Sequence, residues 1–154
     1  MRWLKYWWPA ILWAAVIFTF STGTFTSDNT SRVIIPALRW MFPHALAETL
    51  SLIHHVIRKS GHFIEYFIFS LLLLRALRAG RRDFGLRWAL IVVLIVAGYA
   101  ALDEFHQSFV PGRGPAVSDV LLDTTGGAAA QLLVALAVLW RGVRKQRQEG
   151  SAAQ

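Results

Sequence analysis

Three short stretches of this 154-residue chain carry side chains able to do chemistry. The first is Arg58-Lys59-Ser60-Gly61-His62-Phe63-Ile64-Glu65-Tyr66. Residues three or four apart on a helix share a face, so Lys59, His62 and Tyr66 line up, as do His62 and Glu65. Such a row can bind an anion, relay a proton or offer a metal an imidazole nitrogen. The plainer reading is a basic helix end whose long stems snorkel to the headgroups, with Glu65 paired to Lys59 or Arg58. Glu65 lies well past those basic residues, which favours a carboxylate facing the interior of a helix bundle.

The second stretch is Asp103-Glu104-Phe105-His106-Gln107, followed by Ser108-Phe109-Val110-Pro111-Gly112-Arg113. Asp103 and Gln107 are four apart and present a carboxylate and an amide on one face. Pro111-Gly112 turns the chain and delivers Arg113, whose planar fork suits a phosphate or a carboxylate, Asp103 included. Simple capping is a weak account of the acids, because an acidic pair at a helix C-terminus opposes the macrodipole. The third stretch is Ser118-Asp119-Val120-Leu121-Leu122-Asp123, then Gly126, Gly127 and Ala130. Asp119 reads most simply as an N-cap. Asp123 lies four residues on and adds a carboxylate to the same face, while the small residues let another helix approach closely and bring Asp123 beside Asp103 or His62.

These clusters must be positioned by apolar elements. The chain is 55% hydrophobic, 13% aromatic and only 16% charged, and its charges cluster between long apolar runs. That distribution excludes a soluble enzyme, a disordered tail and a repeat array, and predicts membrane spans. With no cysteine, disulfides, a thiol nucleophile and thiolate metal sites are excluded, so any nucleophile or metal ligand uses oxygen or imidazole nitrogen. Four apolar runs, at 7–20, 62–77, 86–102 and 119–140, each reach about 20 residues with their flanks, enough for a hydrocarbon core of about 30 Å. The expected fold is an all-α integral membrane four-helix bundle.

The first run follows Arg2, Lys5 and a cluster of Trp3, Tyr6, Trp7 and Trp8. It reads as an interfacially anchored helix rather than a signal peptide, since no small-x-small cleavage pattern follows it and Pro9 falls within a tolerant first turn. Between the first and second runs, 21–59 carries Pro36, Pro43 and an apolar series at Leu46, Leu50, Ile53, Val56 and Ile57, expected as a helical segment lying along the interface. Asn29-Thr30-Ser31 matches the glycosylation acceptor pattern, a short match of little weight in a chain that reads as bacterial.

Basic residues fall in three zones: the N-terminus (Arg2, Lys5), the middle loop (Arg75, Arg78, Arg81, Arg82, Arg87) and the tail (Arg141, Arg144, Lys145, Arg147). Four spans put all three on one side, so the positive-inside rule places both termini in the cytoplasm of a multi-pass inner (plasma) membrane protein. The net charge of +7 is then topological information, with attraction to anionic headgroups as a second effect, and nucleic acid is not an expected partner. All five histidines (His44, His54, His55, His62, His106) and seven acids (Asp28, Glu48, Glu65, Asp103, Glu104, Asp119, Asp123) fall on the outer side, leaving Asp83 and Glu149 inside. The domain reading is a cytoplasmic start at 1–6, a four-span domain at 7–140 and a basic cytoplasmic tail at 141–154.

The motifs Arg58-Lys59-x-x-His62-x-x-Glu65-Tyr66, Asp103-Glu104-x-x-Gln107-x-Phe109-x-Pro111-x-Arg113 and Asp119-x-x-x-Asp123-x-x-Gly126 resemble, in order and spacing, those of the VanZ-like membrane proteins. The resemblance covers residues 53 to about 133, with the first span also in place. It implies a small four-span membrane protein of the bacterial cell envelope, and the family's namesake is associated with resistance to the glycopeptide teicoplanin. It implies no particular reaction. Many members carry Asn where Asp123 stands.

Three functions compete on these residues. In the first, an outer-face polar site binds membrane lipids and an anionic or sugar-bearing component, such as a lipid-linked envelope intermediate or a lipoglycopeptide; Lys59 and Arg113 contact phosphate or carboxylate while Glu65, Asp103 and Gln107 orient them. In the second, the protein is a membrane hydrolase or transferase acting on a polyprenyl phosphate, with His62 or Glu65 as acid and base and Asp103, Glu104 or Asp123 holding a divalent cation. In the third, the polar groups only satisfy one another between helices; interhelical polar contacts average about 0.6 kcal/mol in one measured membrane protein, a thin reason for so many.

Overall fold

The computed structural model describes residues 2–22, 27–81, 85–110 and 116–152. All regular structure among them is helical: α1 (Arg2–Ser21), α2 (Ser27–Met41), α3 (Ala47–Arg78), α4 (Leu86–Gln107) and α5 (Val117–Ala152). Three helices, α3, α4 and Val117–Gln146 of α5, are long and apolar enough to cross a membrane. Their outward faces agree with that, since Leu94, Leu102, Leu121, Leu132 and Leu139 are all more than half exposed, a belt no water-soluble monomer keeps. Helix α1 is not among the three: Lys5 and its Trp and Tyr side chains dilute the aliphatic run.

The inner faces meet in a core of Tyr66, Phe69 and Leu73 from α3, Val92, Val96 and Ala100 from α4, and Ala10 and Ile17 from α1. Helix α5 closes it through small residues. A Cβ on Gly126 would lie 2.5 Å from the Phe63 carbonyl oxygen, and one on Gly127 would lie 2.7 Å from Val96, so α5 presses on α3 and α4 where only glycine fits. Beside this contact Ser70 donates to the Gly127 carbonyl (2.8 Å), and Gln131 Nε2 donates to the Ser70 hydroxyl (2.8 Å), so the hydroxyl both donates and accepts.

Helix α1 runs antiparallel to α3 and is tied to it and α4 by polar tips of otherwise apolar side chains. Trp13 Nε1 donates to the Glu65 carbonyl (2.9 Å), and the Tyr99 hydroxyl donates to the Ala14 carbonyl (2.7 Å). Pro9 lies not in the first turn, as the sequence reading had it, but in the interior of α1, which begins at Arg2. Its missing N–H leaves the Lys5 carbonyl without the usual helical donor. Arg75 approaches that oxygen with Nη2 at 3.5 Å while its guanidinium lies 5.9 Å from the Tyr6 ring, so a tertiary contact occupies the gap.

A second difference concerns the boundary near Lys59. The sequence reading separates an interfacial stretch, 21–59, from a span opening at His62, whereas α3 is continuous from Ala47 to Arg78. Thirty-two residues rise about 48 Å, so the helix outruns a hydrocarbon core of about 30 Å. Gly61 does not stop it: a helical glycine costs about 1 kcal/mol relative to alanine, less than packing on both flanks returns. Helix α2, at 15 residues about 22 Å long, cannot span. It packs against α3, burying its Leu38, with Trp40 and Val33 turned outward. The turn after α3 uses positive φ at Ala79 (46°) and Gly80 (87°), the left-handed exit usual after a helix. Helix α5 runs on through the basic residues to Ala152, with Arg144 over the Trp140 ring at 3.7 Å and Lys145 3.7 Å from Glu149.

Candidate functional site

At one end of the bundle α3 around residues 58–66, the C-terminal end of α4 and the N-terminal end of α5 come together, and this is where the described residues of the three sequence clusters lie. A cleft of about 220 Å³ opens there. Helix α3 supplies Arg58, Gly61, His62 and Glu65, whose spacing of three and four makes one stripe; α4 supplies Asp103; Ser21 at the end of α1 and Thr30 of α2 close the rim. Lys59 and Tyr66 sit one stripe round and do not line it. Lys59 instead faces a neighbouring groove with Phe63 and Leu122, and its ammonium pairs with the Asp119 carboxylate across α3 and α5.

That geometry corrects several expectations. Glu65 forms no ion pair with Lys59 or Arg58 among the described residues: Asp119 takes Lys59, and Glu65 lines the cleft with Asp103. Tyr66 does not share the His62 face of the cleft: it is fully buried in the aromatic core, 6.4 Å from both Phe69 and Tyr99. Its hydroxyl nevertheless has no hydrogen-bond partner among the described residues, and Asp103, Asp123 and Glu65 all lie within electrostatic reach of it. Asp119 is not the N-cap of α5, since the helix opens at Val117; its carboxylate accepts from Ser118 (3.1 Å) as well as from Lys59.

The cap comes from another helix. Glu104 on α4 accepts the backbone N–H of Ala116 (2.9 Å), placing a carboxylate at the positive end of α5. Glu104 thus works for the adjoining helix and does not line the cleft. Gln107 donates to Asp103 Oδ2 (2.8 Å), and both are buried, so the pair expected from four-residue spacing is a mutual bond that fixes the Asp103 carboxylate beside the cleft. Asp123, 2% exposed, brings Oδ1 to 3.8 Å from His62 Nδ1, behind the cleft wall. The small-residue packing of Gly126 and Gly127 sets that approach, as their spacing predicts. Arg113, together with Pro111 and Gly112, lies outside the described residues.

Sequence reasoning passed over Ser21, Thr30 and His54. Thr30 and His54 Nε2 are 3.2 Å apart, which fastens α2 to α3 at the rim. A Ser or Thr beside a helix end is too common to single out, and only the three-dimensional meeting of α1, α2 and α3 gives these weight. Among the described residues no three His, Asp or Glu side chains are arranged to hold a metal ion. What the arrangement offers is a small concavity with donors (Arg58, His62, hydroxyls) and fixed acceptors (Glu65, Asp103) at the end of an apolar bundle, suited to a ligand carrying both hydroxyls and charge.

A helical bundle with three helices able to cross a membrane and a polar cleft between their ends defines an integral membrane protein. The chain belongs to the VanZ/LLP1 family, whose model matches residues 6–139. No curated protein and no solved structure matches the chain.

Proposed function

We propose that the cleft binds an anionic or sugar-bearing component of the bacterial cell envelope, such as a lipid-linked intermediate or a lipoglycopeptide, from the outer face of the inner membrane. The protein is read as a four-span unit over 7–140, with α1 as the fourth span, both termini cytoplasmic and 141–154 as a basic cytoplasmic extension. The observation carrying the binding role is the gathering of Arg58, His62 and Glu65 on one stripe of α3, with Asp103 of α4, around about 220 Å³. Guanidinium and imidazole meet phosphate or carboxylate, while carboxylates and the Ser21 and Thr30 hydroxyls meet sugar hydroxyls. Gln107 positions Asp103, Asp123 positions His62, and the Lys59–Asp119 pair holds α5 against α3. Tyr66 backs the acids from the core, and Arg113 is the second cation offered to the ligand. The association of the family's namesake with teicoplanin resistance extends this reading to glycopeptide resistance. The hydrolase alternative gains no metal centre from the described residues.

The test is lipid identification by mass spectrometry on the full-length protein purified in mild detergent, beside Asp103→Ala and Arg58→Ala variants made at equal yield. A lipid-linked sugar or phosphate that accompanies the wild type and is lost from both variants is the expected result. The same species at the same occupancy in all three would overturn the reading, and unchanged teicoplanin susceptibility of cells carrying the variants, beside a clear effect of deletion, would remove the resistance role.

A further inference from the structure

The opposite end of the bundle holds a second polar concavity, of about 620 Å³, bounded by Arg78 at the end of α3, Arg81 in the turn after it, and Val134, Ala137, Val138 and Arg141 on α5. Several basic groups gather at this end, and four of the described ones are engaged. Arg75 reaches the Lys5 carbonyl and Tyr6, Arg87 lies over the Trp88 ring at 4.7 Å, Arg144 lies over Trp140, and Lys145 is near Glu149. Arg78, Arg81 and Arg141 differ: among the described residues they have neither an ion pair nor a ring contact, and the Arg78 Nε is buried with no acceptor. Among the described arginines at this end, the three with no such partner are therefore the three that border the cleft. A buried donor without an acceptor is costly, and a ligand oxygen at this position would satisfy it.

The cleft continues into apolar surface. Val138 also borders a groove of about 470 Å³ between α4 and α5, where Leu86, Leu132 and Leu139 form the walls. A polar head among arginines and an apolar chain beside leucines match one kind of molecule available inside a membrane. We propose that Arg78, Arg81 and Arg141 form a binding site for the phosphate headgroup of an anionic membrane lipid, whose acyl chain lies along the α4–α5 groove from Val138. Arginine forks grip phosphate oxygens in pairs, and basic pockets between helices are where anionic headgroups are held. The site is separate from the acidic-end cleft and does not depend on its reading.

The experiment is native mass spectrometry of the full-length protein in neutral detergent, titrated with phosphatidylglycerol or with phosphatidylcholine of identical chains. Phosphatidylglycerol is expected to bind at least about tenfold more tightly, and Arg78→Gln/Arg141→Gln to lose about tenfold or more of that affinity, the scale of two charge-assisted contacts. Arg87→Gln/Arg144→Gln removes the same charge from stacked positions outside the cleft and is expected to change affinity less than about twofold by the same arithmetic. Equal loss in both double variants means general charge attraction and overturns the proposal. Two arms need no variant: equal affinity for the two lipids overturns it, and so does displacement of phosphatidylglycerol by glycerol 3-phosphate at equal concentration, which would assign the cleft to a soluble phosphate.

Discussion

Glu104 and Asp103 are neighbours in sequence with different work. Adjacent residues on a helix point about 100° apart, so Asp103 turns to the cleft and Gln107 while Glu104 turns to the start of α5. The Glu104 contact joins a charge-assisted hydrogen bond to a favourable position on the α5 dipole, and Glu104→Ala is expected to cost about 1–2 kcal/mol, with Glu104→Gln recovering part of it. Thermal unfolding in detergent checks this; a Glu104→Ala protein as stable as the wild type would show that the cap carries no weight. The Asp103–Gln107 bond was readable in the sequence because four-residue spacing is local and a helix fixes it. The Lys59–Asp119 pair and the Glu104 cap were not, because they depend on the relative height of two helices, which sequence spacing within either one does not contain. The same reason explains why Arg58, and not Lys59, borders the cleft: one residue of rotation on α3 decides it, and both residues carry the same charge.

At the scale of the element, α5 was the most legible helix and α3 the least. Gly126, Gly127 and Ala130 announce a close helix contact by size alone, and that contact is present. The continuity of α3 through Gly61 was hidden by the polar residues around it, which look like an interface boundary in sequence and are in fact the lining of a cleft along an unbroken helix. The two kinds of glycine should respond oppositely to a methyl group. Gly126→Ala forces the α5 backbone away from the Phe63 carbonyl and is expected to destabilise by about 1–3 kcal/mol, as overpacking does. Gly98→Ala meets nothing within 4 Å and is expected to be neutral or to stabilise by up to about 1 kcal/mol through lost chain entropy. Thermal melts of the two variants in one detergent separate them, and equal effects would contradict the packing described.

For the whole molecule, charge is unevenly divided by end: Glu65, Asp103, Asp119 and Asp123 gather with His62, Arg58 and Lys59 at the cleft end, whereas Arg75, Arg78, Arg81 and Arg141 gather at the other. One of those basic groups, Arg75, is met by both the Lys5 carbonyl and the Tyr6 ring of α1, which sets the start of α1 at the height of the end of α3. Moving the basic end across a membrane during insertion is disfavoured, so it is expected to remain in the cytoplasm and the acidic cleft to face outward. Enzyme-reporter fusions truncated after Arg81 and after Val110 test this, using one reporter active only inside the cell and one active only outside. The first junction is expected to light only the cytoplasmic reporter and the second only the external one. Both junctions reporting the same side would mean that α4 does not cross. Reversed signals would turn the cleft to the cytoplasm, where a ligand delivered from outside the cell could not reach Arg58 and Asp103.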